Sequence, residues 1–449
     1  MIDRLQVTHL RNITRADLKV AGCNVFIGAN GSGKTSLLEA VFLLSRGKSF
    51  RHHQPKRYIQ HHQAAVTVHA ALTDATTLAI QKQLDATTLL RLNQNTVYTQ
   101  SPLTQQLPTL LIDPSSMDML EQGSASRRQL LDWLAFHMKP GFHAQWLAYQ
   151  RLLKQRNKLL KQSRHLSNNQ RQELSAWDKG IANHASLIHY YRQQVFNDWQ
   201  PYFERCVAAL LPRYAGKISL SYSAGYDADA PLDEQLAERI VQDLQQGFTR
   251  IGSHRADIQV YWRSQGSSEA NAAETVANGT VNGTASNASP AKAPTALKEQ
   301  AANVLSRGEK KLLITALKLS QLPLLLADSG LLADSSLLSD KLLAENRSSI
   351  AAKQPTDEEA LAVEGTVASK DIEADSTVDI TGFTPIVLLD DVTAELDDAA
   401  IQVLLSTLAA LKCQVFITSL TEDILPMLQQ HWPDFKLFHV KQGVITRQD

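Results

Sequence analysis

The chain has 449 residues, enough for two or three domains and a sizeable core. Its 45 Lys and Arg balance 45 Asp and Glu, so the mean field does not draw a polyanion, and any nucleic-acid contact has to come from a local patch. Cys23, Cys206 and Cys413 stand too far apart in sequence for a metal-ligand or redox motif or a disulfide framework, which suits a reducing, cytoplasmic setting.

The opening Met1-Ile2-Asp3-Arg4-Leu5-Gln6 is too polar for a signal peptide. Leu5/Val7 and Leu18/Val20 read as strands that lead into a buried strand, Asn24-Val25-Phe26-Ile27. Next comes Gly28-Ala29-Asn30-Gly31-Ser32-Gly33-Lys34-Thr35, a glycine, four free positions and Gly-Lys-Thr, the pattern of a phosphate-binding loop. Glycines let the backbone turn its N–H groups toward phosphate oxygens, Lys34 adds a point charge at the β- and γ-phosphates, and the Thr35 hydroxyl can ligate Mg²⁺. Thr35 to Leu44 reads as a helix whose N-terminus faces the phosphates. Val66 to Ala70 and Thr77 to Ile80 read as an antiparallel pair.

From Pro114 to about Pro212 the pattern turns helical, with Leu147, Leu152, Leu153, Leu159 and Leu160 on one face of a helix over Trp146–Ser163. On that segment Arg151, Lys154, Lys158 and Lys161 recur at helical spacing, with Arg156 and Arg164 nearby, a stripe that can neutralise phosphates or simply be a solvated face. Arg127 and Arg128 either share that surface or pin the helices to the rest. Strand signals return at Ile218–Tyr222 and Ile258–Trp262. Residues 264–299 and 328–382 are rich in Ala, Ser, Asn, Thr, Asp and Glu and are expected to be disordered excursions, with a transient helix over Leu331–Leu343. The fourteen histidines, His52-His53 and His61-His62 among them, show no metal-ligand spacing and read as surface residues. Leu322 to Leu326, the most apolar segment, is far too short to span a bilayer.

Two later motifs belong with the loop. Ile386-Val387-Leu388-Leu389 is an apolar strand that ends in Asp390-Asp391, placing Asp390 for the Mg²⁺ and Asp391 to orient an attacking water. Leu305-Ser306-Arg307-Gly308-Glu309 opens a strong helix with a capping box from Ser306 to Glu309, and a helix start of this kind favours an anion. In this order the set resembles the signature sequence of ABC-type ATPases, in which the signature of one subunit caps the γ-phosphate bound by another. That resemblance gives Ser306 and Gly308 a role in trans. Ala394-Glu395-Leu396-Asp397 resembles the D-loop, and Thr418 or Ser419 stands where transporters carry a switch histidine.

Further segments narrow the resemblance. They are Leu10-Arg11-Asn12-Ile13, Leu38-Glu39-Ala40, Lys48-Ser49-Phe50-Arg51, Gly123 through Arg127-Arg128 to Leu131-Asp132, Leu153-Lys154-Gln155-Arg156-Asn157 and His254-Arg255-Ala256-Asp257. With the nucleotide motifs they are similar to the RecF family of bacterial recombination and repair proteins. Departures are Pro114-Ser115 where Pro-Glu is usual, Ser253 where a proline is usual, and the long excursion before the acidic strand.

The resemblance implies an α/β, ABC-type P-loop ATPase head with a helical second lobe and no long coiled coil. Residues 1–112 and 215–449 would form the head and 113–214 the lobe. It implies a slow ATPase that holds ATP and Mg²⁺ with Arg11 and the loop, dimerises with ATP, and binds gapped or single-stranded DNA and duplex junctions. A RecR-type mediator would be its partner, with loading of the RecA recombinase and SOS induction as the outcome. The alternatives are the soluble ATPase subunit of a transporter, against which the missing switch histidine and Leu-Ser-Gly-Gly-Gln signature argue, and a nucleotide-binding scaffold without turnover, against which Asp390-Asp391 argues.

Overall fold

Alternation of apolar residues builds the first layer. β1 (Ile2–Leu10) buries Leu5 and Val7 against Leu18 and Ala16 of β2 (Ile13–Lys19), and β3 (Cys23–Ile27) leaves this layer for another. β4 (Ala65–Leu72) buries every second side chain, as a sheet with one covered face requires. With β5 (Thr77–Gln83), β6 (Thr88–Leu92) and β7 (Asn95–Val97) it completes an antiparallel sheet of order β2-β1-β4-β5-β6-β7. The expected β4–β5 pair is present, and β6 (Thr-Leu-Leu-Arg-Leu) and the three-residue β7 (Asn-Thr-Val) extend the sheet beyond the expectation.

This computed structural model describes residues 1–121, 123–162, 165–262, 300–328 and 384–448. The two stretches expected to loop out, and the helix expected over Leu331–Leu343, lie outside the described residues except for Asp328. The described residues up to Leu325 and from 384 onward form one compact unit, and only Leu326–Asp328, the end of α11 (Gln321–Asp328), is described from the second, Leu326–Gly382.

The second six-stranded sheet is assembled from distant parts of the chain. β8 (Thr109–Ile112) precedes the helical region, and β9 (Ile218–Ser223) and β10 (Asp257–Trp262) form a two-stranded sheet of their own, with one isolated bridge from Tyr261 to Gln300. β11 (Ile386–Leu389), β12 (Gln414–Ser419), β13 (Lys436–Lys441) and β14 (Val444–Gln448) give the order β14-β13-β3-β12-β11-β8, parallel except for β14. β3, β11 and β12 are buried at every residue, as internal parallel strands are. α1 (Lys34–Arg46) touches strands of both sheets, and its Leu37, Leu38, Val41 and Leu44 join one core with Val7, Val68, Phe26 and Phe416.

After α2 (Ser101–Gln106) and the single turn α3 (Asp118–Glu121) come α4 (Ser124–Met138), α5 (Phe142–Gln162) and α6 (Asn168–Leu210). α6 has 43 residues, a rod of about 64 Å, and opens on a capping box of Ser167 and Gln170. It packs on α4, α5, α7 (Leu232–Glu238), β9 and the later α10, so among the described residues no long coiled coil occurs. Only Leu153 and Leu160 of the expected α5 face are fully buried, and beside them lies Arg156.

Arg156 corrects its grouping with the phosphate stripe. It is fully buried, with Nε donating to Asp178 (2.7 Å), and Nη1 to Asp243 (2.7 Å) and the Thr249 hydroxyl (2.7 Å). Asp243 lies on α8 (Ile240–Gln246), so one guanidinium ties three helices together. Arg127 binds both carboxylate oxygens of Asp257 at 2.9 Å, and Arg128 donates to the Ala256 carbonyl, so they pin α4 to β10. The β9–β10 pair therefore rests on α4 and α6 rather than joining the sheets of residues 1–112, with which 215–262 was expected to group.

Candidate nucleotide site at the carboxyl edge of the parallel sheet

The register brings the chemistry together. Ile27 pairs with Ser419, and Leu389 with Ile417 and Ile112, so β3, β12, β11 and β8 end in one row. Open parallel sheets bind ligands at that edge. Residues 28–33 leave β3 there and α1 starts at Lys34, with Gly33 as N-cap at φ 118° and Gly31 at φ 78°, conformations that favour glycine. A Cβ at Gly28 would lie 2.2 Å from the Val440 carbonyl oxygen, so the loop is seated directly on β13. Lys34 curls over the loop, its Nζ donating to the carbonyls of Gly28 (2.6 Å) and Ala29 (3.1 Å).

Thr35 and Asp390, 355 positions apart, meet at 2.9 Å, the hydroxyl donating to Oδ1. Thr418 donates to the same oxygen at 2.8 Å and accepts the Asp391 backbone N–H at 2.8 Å. That bond holds Asp391 at φ 48°, a left-handed conformation costly for a residue with a Cβ. Burial, opposed by the Thr418 and Thr35 hydroxyls and reinforced by Asp391 and Asp113, raises the proton affinity of Asp390. A hydroxyl and a carboxylate oxygen this close are hard oxygen donors of the kind Mg²⁺ takes. The buried Ser32 Oγ and Asp391 Oδ1 have no hydrogen-bond partner within the protein, which fits a site that accepts further polar groups.

Of the two candidate switch positions, Thr418 touches both acids. Ser419 donates to the Thr421 carbonyl (2.8 Å) and lies 3.5 Å from the Thr393 hydroxyl on α12 (Val392–Glu395). Asp397 caps α13 (Asp398–Ala410) by accepting from the Ala400 N–H.

Arg11 is placed differently from the loop residues. Its guanidinium grips both carboxylate oxygens of Glu39, which is fully buried in α1, and Ser49 donates to the same carboxylate. Leu10–Ile13, Leu38–Ala40 and Lys48–Arg51 thus converge on one clip that fixes α1. Its neighbour Asn12 reaches the loop, donating to the carbonyls of Ser32 (2.9 Å) and Gly31 (3.3 Å). From the other side the Gly443 N–H, in the β13–β14 turn, donates to Ser32 O at 2.7 Å. Neither brace is announced beside the loop in the sequence, although the Gln442-Gly443 turn carries the glycine that a two-residue hairpin needs.

Ser306 and Gly308 stand apart from this cluster. After the single turn α9 (Ala301–Val304), Ser306 caps α10 (Arg307–Leu319); its Oγ accepts from the Glu309 N–H, and Glu309 returns a bond to the Ser306 N–H. The Tyr214 hydroxyl also donates to Glu309, at 2.6 Å. Both signature residues are exposed, and a Cβ at Gly308 would meet nothing within 4 Å. The other end of α10 is buried. Lys318 donates to Leu111 O (2.6 Å) and to Ser116 Oγ and lies 3.8 Å from Asp113, so it ties this helix to the end of β8. Arg151, Lys154, Lys158 and Lys161 are all exposed on α5, and Arg164 lies outside the described residues.

Residues 1–328 match the RecF/RecN/SMC N terminal domain family. The chain is 33% identical to the DNA replication and repair protein RecF of Acinetobacter baumannii over 99% of its own length and 98% of the relative's. It is 34% identical to that of Acinetobacter baylyi over 99% of both. The chain belongs to the RecF family. Family membership sets aside the transporter-subunit alternative. The fold agrees with solved RecF structures described as the recombination mediator protein RecF with ATP or ATPrS in the RecFOR pathway. They superpose with a TM-score of 0.70 at 18% and 17% identity, over the whole chain and 97% and 98% of theirs. The expected ABC-type α/β head fold is therefore that of this RecF-family chain.

Proposed function

We propose that the protein is a slow ATPase that uses ATP as a dimerisation switch in DNA repair. The observation that carries this reading is the Thr35–Asp390–Thr418 cluster beneath the 28–35 loop. Residues 1–112 with 384–449 act as the head, and the helices with β9–β10 as the second lobe. Lys34 and the loop hold the phosphates, Thr35 and Asp390 hold Mg²⁺, and the metal supplies charge neutralisation at the phosphates. Asp391, fixed by Thr418, orients a water. Ser306 and Gly308, exposed at the start of α10, serve the nucleotide of a second copy. The four exposed cations on α5 contact phosphates of gapped or single-stranded DNA and junctions. A RecR-type mediator and the RecA recombinase are the partners, in the cytoplasm and during SOS induction. The RecFOR context named for the solved relatives supports this placement.

The test is mass by light scattering with and without ATP and Mg²⁺, beside nucleotide binding. Wild type is expected to dimerise with ATP, Lys34→Met to lose nucleotide affinity and dimer together, and Ser306→Arg to bind ATP as a monomer. A wild type that stays monomeric at saturating ATP would overturn the switch, and a Ser306→Arg variant unable to bind ATP would overturn the role in trans.

A further inference from the structure

Although the whole chain is neutral, its first 112 residues hold twelve Lys and Arg against five Asp and Glu. One of those five, Glu39, is buried against Arg11, which leaves four acids for the surface. The strand register shows where many of the cations go. The inner face of the antiparallel sheet is Leu5, Val7, Val68 and Ile80, so Arg4, Arg15, Lys19 and Arg91 project from the outer one. Arg4 stands directly across from Lys19, a like-charge pair that a sheet ordinarily avoids. Lys436 of β13 donates to the carbonyls of Lys19 and Val20, and Arg447 and Lys19 together add to burial in lowering its proton affinity. Five cations thus crowd one corner, and Asp17, bound to Arg4, and Asp3 are the acids beside them.

The middle of the face is neutral. Across the strands run Arg15, Thr8, Thr67, Gln81 and the exposed Leu89 in one row, and Asp17, Gln6, His69, Ala79 and Arg91 in the next. Arg91 stands on β6, four strand spacings or about 19 Å from β2. A sheet face of neutral, mostly polar side chains with cations at its corner and far strand suits a polyanion whose charges are spread over a broad convex surface. It does not suit a small anion, which needs a pocket, nor an apolar partner.

We infer that the outer face of this antiparallel sheet, with the Arg4–Arg15–Lys19–Lys436–Arg447 corner, is a second nucleic-acid surface that binds the phosphodiester backbone of DNA. It is separate from the α5 stripe. The inference rests on the DNA-binding reading above and adds where on the head the backbone lies. Contacts of this kind carry affinity and salt dependence but no base specificity.

The experiment is anisotropy of a fluorescein-labelled gapped duplex over a salt series, with ATP and Mg²⁺, for Arg15→Glu/Lys19→Glu and for Arg91→Glu. Arg4 is left in place so that its pair with Asp17 survives. The double variant should lose at least about tenfold in affinity, and the slope of log K against log salt should shrink by about 2. Arg15→Gln/Lys19→Gln, which adds no repulsion, should shrink the slope equally. ATP binding and thermal melting should be those of wild type. Wild-type affinity and slope in the reversed variants, with binding abolished by Lys154→Glu/Lys158→Glu, would overturn this surface and leave the DNA-binding reading standing. A wild type that does not bind the duplex at any salt would overturn both.

Discussion

Two regions of the molecule bury polar groups, and they do so to opposite ends. At the carboxyl edge of the parallel sheet, Asp390 receives two hydroxyls on one oxygen, Asp391 sits in a left-handed conformation, and Asp391 Oδ1 and Ser32 Oγ have no protein partner. Among α4, α5 and α6 the buried Arg156 and Arg192 instead end on carboxylates, as does the half-buried Arg127. Arg156 meets Asp178 and Asp243, Arg192 meets Asp132, and Arg127 meets Asp257. Family-like motifs populate both regions, so resemblance alone does not say which residues perform chemistry. The left-handed Asp391 and the two hydroxyls gathered on one Asp390 oxygen mark the candidate nucleotide edge, and buried ion pairs mark the framework; unfilled hydrogen-bonding capacity does not separate them, since Asp243 Oδ1 and Trp133 Nε1 also have no protein partner.

Three outcomes would break or sharpen this contrast. The largest is expected at the candidate nucleotide edge. Asp390→Asn keeps the shape but replaces one carboxylate oxygen, so hydrolysis of ATP should fall by about a thousandfold with melting nearly unchanged. Hydrolysis within tenfold of wild type would show that the carboxylate is framework too.

The converse substitution is Arg156→Ala, which strands Asp178 and Asp243 in the interior. It should destabilise the protein by about 3–5 kcal/mol in denaturant titration. The folded fraction should bind nucleotide as before. A loss under 1 kcal/mol would mean that water reaches those carboxylates.

The smallest effect concerns pH. His254 accepts from the Tyr149 hydroxyl at Nδ1 (2.7 Å) and its Nε2 lies 3.1 Å from the Thr249 carbonyl, the arrangement of a neutral ring. Burial lowers its pKa from 6.5 to about 4. The unfolded chain therefore binds the proton first, so this contribution is complete above about pH 6.5 and fades as pH falls toward 4. It amounts to at most about 3 kcal/mol. His254→Gln should flatten the stability profile between those limits, and a profile as steep as wild type would assign the acid sensitivity elsewhere.

Local pattern made much of this molecule legible. The glycine spacing at 28–35, the apolar run 386–389 before two acids and the Ser306–Glu309 box each declare their element and chemistry over fewer than ten residues, because turns, caps and buried strands are short-range devices. The helical region was legible as helices but not as a set of partners. Arg156 has the spacing of a surface stripe, and nothing near it in sequence announces Asp178, Asp243 or Thr249.

Neighbours along the chain set the glycine pattern at 28–35, most of the helices and strands, and the family resemblance. Contacts between distant residues decide which polar groups close into ion pairs and which gather beneath the 28–35 loop. They seat the loop between Asn12 and Gly443, engage Arg11 with Glu39, and choose Thr418 as the hydroxyl that touches both acids. The physical reason is that burial and hydrogen-bond satisfaction belong to pairs of residues hundreds of positions apart, and the strand order β3-β12-β11-β8 sets those pairs.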